Sequence, residues 1–425
     1  MQTSATGPAV HHPPRGERLD LTWLKPIGMI GLSVSNFIYR ILTLGIYDFW
    51  ARTEVRKRLW SAIRLNGEPL AYTGTGKELF LGFLIVFGVV LLPILIVSVA
   101  AILIFGPNSL TANLIQAAIY IAVFMLVGVA IYRAQRYRLL RTNWRGIRGN
   151  LQGSSTPYAM TYFLTLFLIP LTLGWIVPWR ATKLQSMITN NVRFGSMPFA
   201  FRGNSGLLYG PYAVLWFGIL VLFIVASAIS GMVIGSIQGD LGPGLEPPDD
   251  VKQLYGLTIL GVFALAYLFY LFMSAWYRAR TINHFAQCTH FDSASFNGTA
   301  TGIGLLWIDI TNLAILIAGS LVVVALLSAI AALIFMIVPA LVPATAMSPA
   351  EIQAYAAAMA APVLVFIGAL SFTLLLPVTQ ARSMGYLIDH LALEGSVDVN
   401  KIAQSTADPM ATGEGLAQAF DIDAF

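Results

Sequence analysis

Four residues of the kinds that bind transition metals lie close together at His284, Cys288, His290 and Asp292. A helix would place His284 and Cys288 on one face, and imidazole and thiolate groups are ligands that zinc prefers. Within this stretch, however, the chain bends from a predicted helix into a predicted hairpin, and a zinc site needs a closed, oriented ligand set. We therefore interpret the stretch as polar surface and predict no metal and no cofactor.

Motifs of the common enzyme chemistries are missing from the sequence. No His-Glu-x-x-His pair, phosphate-binding loop or dinucleotide-binding glycine motif occurs in a suitable context, and we interpret Gly74-Thr75-Gly76 as a turn. The single cysteine excludes a disulfide framework and a Cys-x-x-Cys centre. We predict that the protein is not an enzyme and has no catalytic residues.

Arginine recurs after several apolar segments, and this pattern is the strongest indication of a binding function in the sequence. The candidate contacts for an anionic lipid headgroup or small anionic solute are Arg52, Arg56, Arg58, Arg133, Arg136, Arg180, Arg278, Arg280 and Arg382. Each charge near an anionic leaflet would contribute about 1 kcal/mol. The alternative is that these arginines only hold loops in the cytoplasm, since basic residues resist translocation. Both interpretations stay open.

Three polar residues fall inside or beside apolar runs. Ionisable residues deep in a membrane usually mark functional sites. Asp309 and Asn312 come near the start of a run, which favours a position at the interface over an ion or proton site. Arg40 precedes Trp50 inside an apolar run and must either reach the surface with its long side chain or find a partner.

The composition identifies the solvent of these segments. Of the 425 residues, 57% are hydrophobic and 11% charged, whereas a soluble domain carries about 25% charged residues. So few charges exclude a soluble enzyme, a disordered protein and a nucleic-acid-binding factor. The net charge of +5 then reflects loops kept in the cytoplasm, and membrane lipids are the expected partners.

Six apolar runs are long enough to cross a bilayer, which takes about 20 helical residues. The runs are Leu79–Phe105, Leu110–Tyr132, Leu207–Ile237, Leu254–Trp276, Asn312–Val338 and Tyr355–Pro377. Two further segments, 28–50 and 158–179, are interrupted by polar residues or proline.

The positions of the basic residues predict three helical hairpins. Most Lys and Arg residues fall in five blocks, at 51–78, 133–153, 180–203, 278–298 and 382–401, whereas the outer connections such as Gly106–Ser109 are poor in basic residues. All blocks then lie in the cytoplasm, with the C-terminus. Segment 158–179 separates two basic blocks, so we predict that it enters the membrane and returns, with a break at Pro170 or Gly174. Segment 28–50 would do the same near Gly45. The alternative is eight ordinary spans.

The chain repeats itself. Leu42–Trp50 aligns with Leu171–Trp179, and the 132–153 and 277–298 stretches align in the same way, with a weaker fifth copy at 380–399. The residues that carry the repeat are Gly45, Trp50, Tyr72, Gly74, Gly153, Gly174, Trp179, Phe201, Gly203 and Gly298. Each copy runs from an apolar segment through an interfacial aromatic and a basic helix to a β-hairpin. Asn66-Gly67 and Gly195-Ser196 are hairpin-turn signals, and Pro69 and Pro198 predict edge strands.

The predicted fold is mainly α: a polytopic membrane helix bundle of tandem repeats with short cytoplasmic β-hairpins. Five hairpins would pack into one β layer, since a lone hairpin is marginal in water. The predicted divisions are a polar tail (1–24), a first half (25–153), a second half (154–300), a terminal helical hairpin with the degenerate repeat (301–404) and a disordered tail (405–425).

The order Leu-Thr-Leu-Gly-Ile-Tyr-x-x-Trp-Ala-Arg at 42–52, followed by Tyr72-x-Gly74, resembles the YjgN-like family. The second copy, Leu-Thr-Leu-Gly-x-x-x-Pro-Trp at 171–179, matches it as well, and Leu374–Pro377 departs from it. The resemblance covers most of the chain and implies a bacterial inner-membrane protein, but no catalytic residue. From the residues themselves we expect a transporter or channel for small solutes, or alternatively a non-transporting scaffold that contacts anionic lipid.

Overall fold

The computed structural model describes residues 16–241, 248–341 and 348–404. The helices are α1 (Met29–Leu42), α2 (Asp48–Ala62), α3 (Gly76–Val86), α4 (Leu92–Phe105), α5 (Leu110–Arg141), α6 (Ser155–Leu171), α7 (Val177–Thr189), α8 (Gly206–Leu241), α9 (Asp249–Gln287), α10 (Gly302–Leu341), α11 (Pro349–Leu370) and α12 (Leu376–Asp389). A π-helical segment, Phe87–Leu91, joins α3 to α4 without a break.

Short antiparallel strands connect these helices. The strands are β1 (Leu21–Trp23), β2 (Ile63–Leu65), β3 (Glu68–Pro69), β4 (Ala71–Tyr72), β5 (Thr142–Trp144), β6 (Ile147–Leu151), β7 (Val192–Phe194), β8 (Met197–Phe201), β9 (Thr289–Phe291), β10 (Ala294–Gly298) and β11 (Leu391–Glu394). Strands β1 to β3 pair in chain order, and so do β4 to β11. Neighbouring hairpins are therefore joined by hydrogen bonds between their strands.

Each helical connection in the described chain returns to the strand beside the one it left. The connections are α1–α2 between β1 and β2, α3–α5 between β4 and β5, α6–α7 between β6 and β7, α8–α9 between β8 and β9, and α10–α12 between β10 and β11. Tight turns join the remaining pairs. Because successive strands run in opposite directions, the helical connections all leave from one end of the strands. The tight turns lie at the opposite end of the strands.

The sheet closes into a ring. Leu70 bonds back to Ile63 (N–O 3.0 Å) between β3 and β4, so residues 68–72 form one strand that pairs with β2 first and β5 afterwards. At the other end, Glu17 and Val397 form an antiparallel bridge. Closure leaves no long unpaired strand edge, which would otherwise invite aggregation.

The interior of the ring is apolar. Trp144, Phe291 and Val397 are buried in one cluster, and Phe194 and Phe199 pack against it. The rings of Phe199 and Phe291 stack with their centroids 4.4 Å apart. Side chains line and largely occupy the interior of such a small closed sheet.

The predicted spans are confirmed by six helical stretches of the described chain that are long and apolar enough to cross a membrane. These stretches are Gly76–Phe105, Leu110–Arg141, Gly206–Ser236, Asp249–Gln287, Gly302–Leu333 and Ala350–Asp389. Few of their side chains are buried within the protein, as expected where lipid is the solvent. The first and last helical groups meet, because α1 packs against α12.

The two interrupted segments each form a helix, a turn and a second helix. Leu44 and Gly45 adopt positive φ angles (51° and 91°), and Leu173 and Gly174 do the same (50° and 84°). The second break thus falls at Gly174, whereas Pro170 lies inside α6. In both segments the chain comes back to the sheet, where Trp23 pairs with Ile63 and Leu151 with Val192.

The proline prediction is confirmed for Pro69, because β3 is the last strand of the order β1-β2-β3, and wrong for Pro198. Pro198 is in β8, which pairs with both β7 and β9. The ladder to β9 begins only at Phe199, however, and the ladder to β5 begins at Ala71, beyond Pro69. Each proline therefore occupies a position with one neighbour, where its missing N–H removes no ladder bond.

The chain's ends also differ from the prediction. Residues 16–24 were assigned to a polar tail, yet Leu19 is buried in the ring and β1 pairs with β2. The fifth hairpin is incomplete, because after β11 the chain turns at Gly395 and Val397 pairs with Glu17. The predicted tail 405–425 and parts of two outer connections lie outside the described residues. The halves 25–153 and 154–300 remain a prediction.

Candidate anion-binding sites

Helix α12 separates two concave sites at the level where the helices meet the sheet. Residues on one face of α12, among them Ala381, Arg382 and Gly385, line an outer groove. Gln380 and Ser383 line a second cavity on the other face. The same short helix therefore shapes both sites.

The outer groove has a volume of about 870 Å³ and lies between α12, the start of α1 and α10. Its cationic residues are Lys25 and Arg382, and Asp389 also lines it. Apolar walls come from Ile27, Ile30, Ile308 and Val378, with Trp23 and Tyr386 at the ends. Ile27 is 89% exposed and Ile30 65%, so the apolar wall continues onto the outer surface.

The second cavity, called here the axial cavity, has a volume of about 500 Å³ and lies between α2, α5 and α12. Its polar wall residues are Gln135, Arg138, Thr142, Thr379, Gln380 and Ser383. Trp60, Leu139, Met384 and Leu387 supply the apolar walls. The Arg138 side chain is buried, at 7% exposure for the residue. None of the described lining residues is acidic.

A chain of hydrogen bonds connects the two sites through α10. Arg382 Nε donates to Asn312 Oδ1 (3.1 Å), and Nη2 donates to Thr311 Oγ1 (2.8 Å). Asn312 Nδ2 in turn donates to Ser383 Oγ (2.9 Å). Asn312 is buried inside the contact between α10 and α12.

Below the axial cavity, the interior of the ring holds a third space of about 310 Å³. It shares Leu139 and Thr142 with the axial cavity, and its other walls are nearly all apolar. Ile402 closes it from the C-terminal segment, which crosses the tight turns: Ser196 N donates to Ala403 O, and Gln404 Nε2 to Gly146 O. The axis is thus polar near the helices and apolar within the sheet.

The predicted arginines do not gather into one basic vestibule. Several are tied to their own chain. The observed contacts are Arg52 to Asp48 (2.5 Å), Arg56 to Tyr72 Oη (3.4 Å), Arg58 to Ile27 O (2.6 Å), Arg136 to Leu151 O (2.7 Å) and Gly153 O, and Arg180 to Thr165 Oγ1 (3.0 Å). Arg56 and Arg136 thus join helices to the sheet and Arg180 joins α7 to α6, whereas Arg58 binds the segment before α1 and Arg52 pairs within α2.

The remaining predicted arginines are exposed. Arg278 pairs with Asp309 (2.8 Å), Arg280 lies over the Trp276 ring, and Arg133 faces outward from α5. Only Arg382 reaches a concave site. Asp309 therefore has an exposed arginine partner on the neighbouring helix.

The aromatic-x-Gly motif is explained by close packing. A Cβ atom on Gly74 would lie 2.7 Å from the Tyr72 ring, and one on Gly203 would lie 2.8 Å from that of Phe201. The aromatic side chain folds over the glycine two residues later, which leaves no room for a methyl group.

The other repeat residues also lie at close contacts or turns. Gly45 and Gly174 provide the positive φ angles of the two breaks. Gly153 lies against Tyr132 and Asn191, and Gly298 against Asn283. Trp50 packs on Phe80, whereas Trp179 is partly exposed.

Gly76 and Gly302 begin two spans at equivalent close approaches. A Cβ atom on Gly76 would lie 2.7 Å from Trp50 Cα, and one on Gly302 would lie 2.6 Å from Trp276 Cα. Both obstacles are backbone atoms, which cannot swing aside.

Arg40 has the partner that a buried position requires. Its Nη2 lies 2.7 Å from Asp48 Oδ1, across the turn between α1 and α2, and both residues are largely shielded from solvent. Asp48 also binds Arg52, so one carboxylate lies between two guanidinium groups.

The His284–Cys288 pair has local roles. His284 Nε2 lies 2.9 Å from Asn204 O, and Cys288 Sγ lies 3.8 Å from the imidazole nitrogens. Burial raises the pKa of the Cys288 thiol. Among residues 16–241, 248–341 and 348–404, no group of three or more His, Cys, Asp or Glu side chains could hold a metal ion.

Five lining residues were not predicted from the sequence: Lys25, Gln135, Arg138, Gln380 and Ser383. Gln135 and Arg138 are three positions apart on α5, and Gln380 and Ser383 repeat that spacing on α12. The shared helical face of each pair is the sequence signal that could have identified four of them.

Comparisons with known proteins agree on one family. The profile of a family described as bacterial protein of unknown function, DUF898, matches residues 28–419. Inner membrane protein YjgN of Salmonella typhimurium strain LT2 is 22% identical over 313 residues, which cover 64% of this chain and 75% of that protein. No solved structure matches.

Proposed function

The chain belongs to the DUF898 family, and from that premise we propose that it is a multi-pass inner-membrane protein that binds anionic lipid headgroups in its outer groove. The location is supported by the relative's description as an inner membrane protein and by the six apolar helices. The role is binding, without catalysis.

The proposed orientation puts the sheet and the C-terminus in the cytoplasm. The basic blocks fall on the sheet side of the helices, whereas the connection Gly106–Ser109 on the far side has no charged residue. Basic residues favour the cytoplasmic side. In this orientation the α1–α2 and α6–α7 segments enter the membrane and return.

The tandem-repeat plan is part of the proposal. It is supported by the matching geometry of the two breaks, in which Gly45 N bonds to Arg40 O and Gly174 N bonds to Ile169 O, both at 2.7 Å. Equal turns at aligned positions are what duplication of one unit would produce.

Cysteine labelling tests the orientation. In a Cys288→Ser background, Asn108→Cys on the far connection and Lys57→Cys on α2 both place the thiol at an exposed position. We expect a membrane-impermeant maleimide to label only Asn108→Cys in intact cells and both variants after lysis. Labelling of Lys57→Cys from outside would contradict the orientation.

The observation that carries the lipid proposal is the pairing of cationic and apolar surface in one groove. Lys25 and Arg382 meet the charge of a phosphate headgroup, while Ile27, Ile30 and Ile308 form an apolar wall for an acyl chain. Trp23 and Tyr386 have the amphipathic rings that prefer the headgroup level. The cationic and apolar parts of the groove therefore complement the anionic headgroup and the acyl chain of a lipid.

Arg382 is held in position for this role. Asn312 and Thr311 accept hydrogen bonds from two of its five N–H groups, which fixes the plane of the guanidinium group. A prearranged arginine loses less side-chain entropy when it binds phosphate oxygens in bidentate fashion.

Lipid binding can be measured on purified protein with vesicles of phosphatidylcholine that contain or lack phosphatidylglycerol. Replacing both Lys25 and Arg382 with glutamine removes the two cations that would bind one phosphate headgroup together in the groove, so we expect at least a tenfold weaker preference for the anionic vesicles than in the control. Arg133→Gln with Arg280→Gln is the matched control, since both arginines are exposed and neither lines the groove. Equal losses in the two double variants would refute a specific groove.

Solute transport is the second candidate, and the axial cavity favours it. A polar cavity between helices is a feature of transport sites, but the apolar interior of the ring lies on the same axis. Flux of ions and small anions into liposomes, with and without the protein, tests this candidate. No flux above that of protein-free liposomes would exclude it and leave the lipid-binding role.

A further inference from the structure

We propose that the space inside the ring is a binding site for a small neutral molecule, apolar except for one hydrogen-bond acceptor, and that the Trp144 indole N–H donates to that acceptor. A long-chain ketone has this chemistry. The site is separate from the lipid groove and does not depend on it. Two features of the ring carry the proposal: the volume of the space and a buried donor in its wall.

The volume of the space is large for a protein core. The sheet encloses about 310 Å³ that its own side chains do not fill. Protein interiors are close-packed and seldom contain voids larger than a water molecule, because walls without neighbouring atoms lose dispersion contacts. The volume lies at the lower end of the range for small-molecule sites, roughly 300–1,000 Å³. A small ligand would supply the contacts that these walls lack.

The walls select an uncharged, apolar ligand. Aliphatic and aromatic side chains from strands all around the ring line the space, among them Leu65, Val192, Phe199, Phe296 and Leu393. An ion would leave water for a surface that cannot solvate it, which is costly in free energy. An apolar chain gains from the same transfer.

Trp144 supplies the polar contact. The residue is 2% exposed, and its Nε1 has no hydrogen-bond partner within the part of the chain that the structure describes. A buried N–H without an acceptor is costly, and an acceptor in the space that Trp144 lines would satisfy it. The Arg145 guanidinium group lies over the indole, 4.6 Å from the ring centroid, and Phe194 packs against the same ring. The donor is thus held in position.

The other polar side chains among the described lining residues already bind within the protein. The Thr142 hydroxyl donates to Arg138 O (2.8 Å) and accepts from Trp60 Nε1 (2.7 Å). Arg193 Nη1 donates to Ser196 O (3.3 Å) in the adjoining tight turn. A ligand with a single acceptor therefore complements the indole N–H.

The test uses the full chain, purified in detergent and isotopically labelled in its tryptophan N–H and isoleucine methyl groups for NMR. The probes are octan-2-one and nonane, which have nearly the same length, although only the ketone has an acceptor. We expect octan-2-one to shift the Trp144 indole proton downfield until the site is saturated. The methyl signals of Ile63, Ile388 and Ile402, which line the space, should shift in parallel.

Nonane should shift the same methyl signals with at least fivefold lower affinity and without moving the indole proton downfield, because it accepts no hydrogen bond. Absence of saturable shifts with both probes would refute the site. Equal affinity for the two probes would overturn the donor role of Trp144.

A substitution of the donor isolates its contribution. Trp144→Phe keeps an aromatic wall and removes the N–H, so we expect the ketone and nonane to bind this variant with equal affinity, measured from the Ile402 methyl signal. Trp307→Phe, at a residue that is 64% exposed on α10, is the matched control and should retain the fivefold preference. A preference retained in Trp144→Phe would contradict the proposal.

A second substitution answers the question if Trp144→Phe does not fold. Leu393→Trp adds side-chain volume to the space itself. We expect this variant to keep its thermal unfolding temperature or raise it, because filling a cavity restores contacts. Both probes should bind it at least fivefold more weakly, because their place is taken. Unaltered affinity for octan-2-one in Leu393→Trp would refute the site.

Discussion

Glu17 and Val397 exchange both of their backbone hydrogen bonds, each with an N–O distance of 2.9 Å. These two residues come from opposite ends of the described chain, and their pairing closes the sheet. In a hydrogen-bonded antiparallel pair the Cα atoms are about 5.5 Å apart, which is within the range of disulfides.

A disulfide should therefore form across the closure. In a Cys288→Ser background, we expect Glu17→Cys with Val397→Cys to cross-link on mild oxidation, which non-reducing electrophoresis detects as a change in mobility. Glu17→Cys with Glu394→Cys is the control, since Glu394 pairs with Ser295. Cross-linking of the control alone would contradict the closed ring.

An exposed ion pair near the closure should depend on pH. Arg145 Nε lies 2.8 Å from Glu68 Oε2, and the hydrogen bonds from Arg145 lower the pKa of Glu68 below its ordinary value of 4.5. A lowered pKa stabilises the fold above pH 4.5, and this contribution disappears as the pH falls through the lowered value.

Glu68→Gln should accordingly lower the unfolding temperature slightly at pH 7 and have a smaller effect at pH 3. Arg145 also lies 3.5 Å from Glu17, so the remaining attraction limits the loss. Thermal unfolding of both proteins at the two pH values measures it, and an equal difference at both would contradict the assignment.

The glycines that begin two spans should tolerate no side chain. Gly76→Ala and Gly302→Ala would each place a methyl group against the backbone of Trp50 or Trp276, and we expect a loss of about 1–3 kcal/mol of folding free energy. Gly88→Ala is the control, because a Cβ there has nothing within 4 Å. Unfolding in denaturant gives the comparison, and a control as unstable as the other two would refute the packing argument.

At the turn between α1 and α2, loss of the Asp48 carboxylate should destabilise the fold more than loss of the Arg40 guanidinium group. Asp48→Asn removes the carboxylate that lies between Arg40 and Arg52, and breaking such shielded pairs costs about 3 kcal/mol. Arg40→Met should cost less, because Asp48 keeps Arg52. A larger loss in Arg40→Met, measured by thermal unfolding, would show that the pair with Arg52 contributes little.

The parts of the fold that the sequence predicts are those with a strong local signal. Apolar length predicted the six spans, and glycine predicted a break near Gly45 and, with Pro170 as the alternative, at Gly174. Asn66-Gly67 likewise marked a tight turn, in which both residues have positive φ angles. Arg145-Gly146 forms a similar turn but escaped notice, because arginine rarely adopts a φ of 50°.

The ring and the sites were beyond such reasoning. Closure depends on a single bridge between distant backbone segments, to which the side chains of Glu17 and Val397 give no guide. Arg138 differs from Arg136 only in which way it faces on α5: Arg136 binds the carbonyls of Leu151 and Gly153, whereas Arg138 lines the axial cavity. The direction in which each arginine side chain points depends on how α5 packs against helices that are far away in sequence.

The return of every described helical excursion to the neighbouring strand has a consequence for biosynthesis. Each helical hairpin can add its strands to the growing sheet as it leaves the ribosome, and each addition covers the edge that the previous one exposed. The edge at β1 is different, because its covering segment around Val397 is made long afterwards. The edge of β1 therefore stays unpaired until synthesis reaches Val397. At this edge a nascent chain would be most exposed to mispairing with another copy.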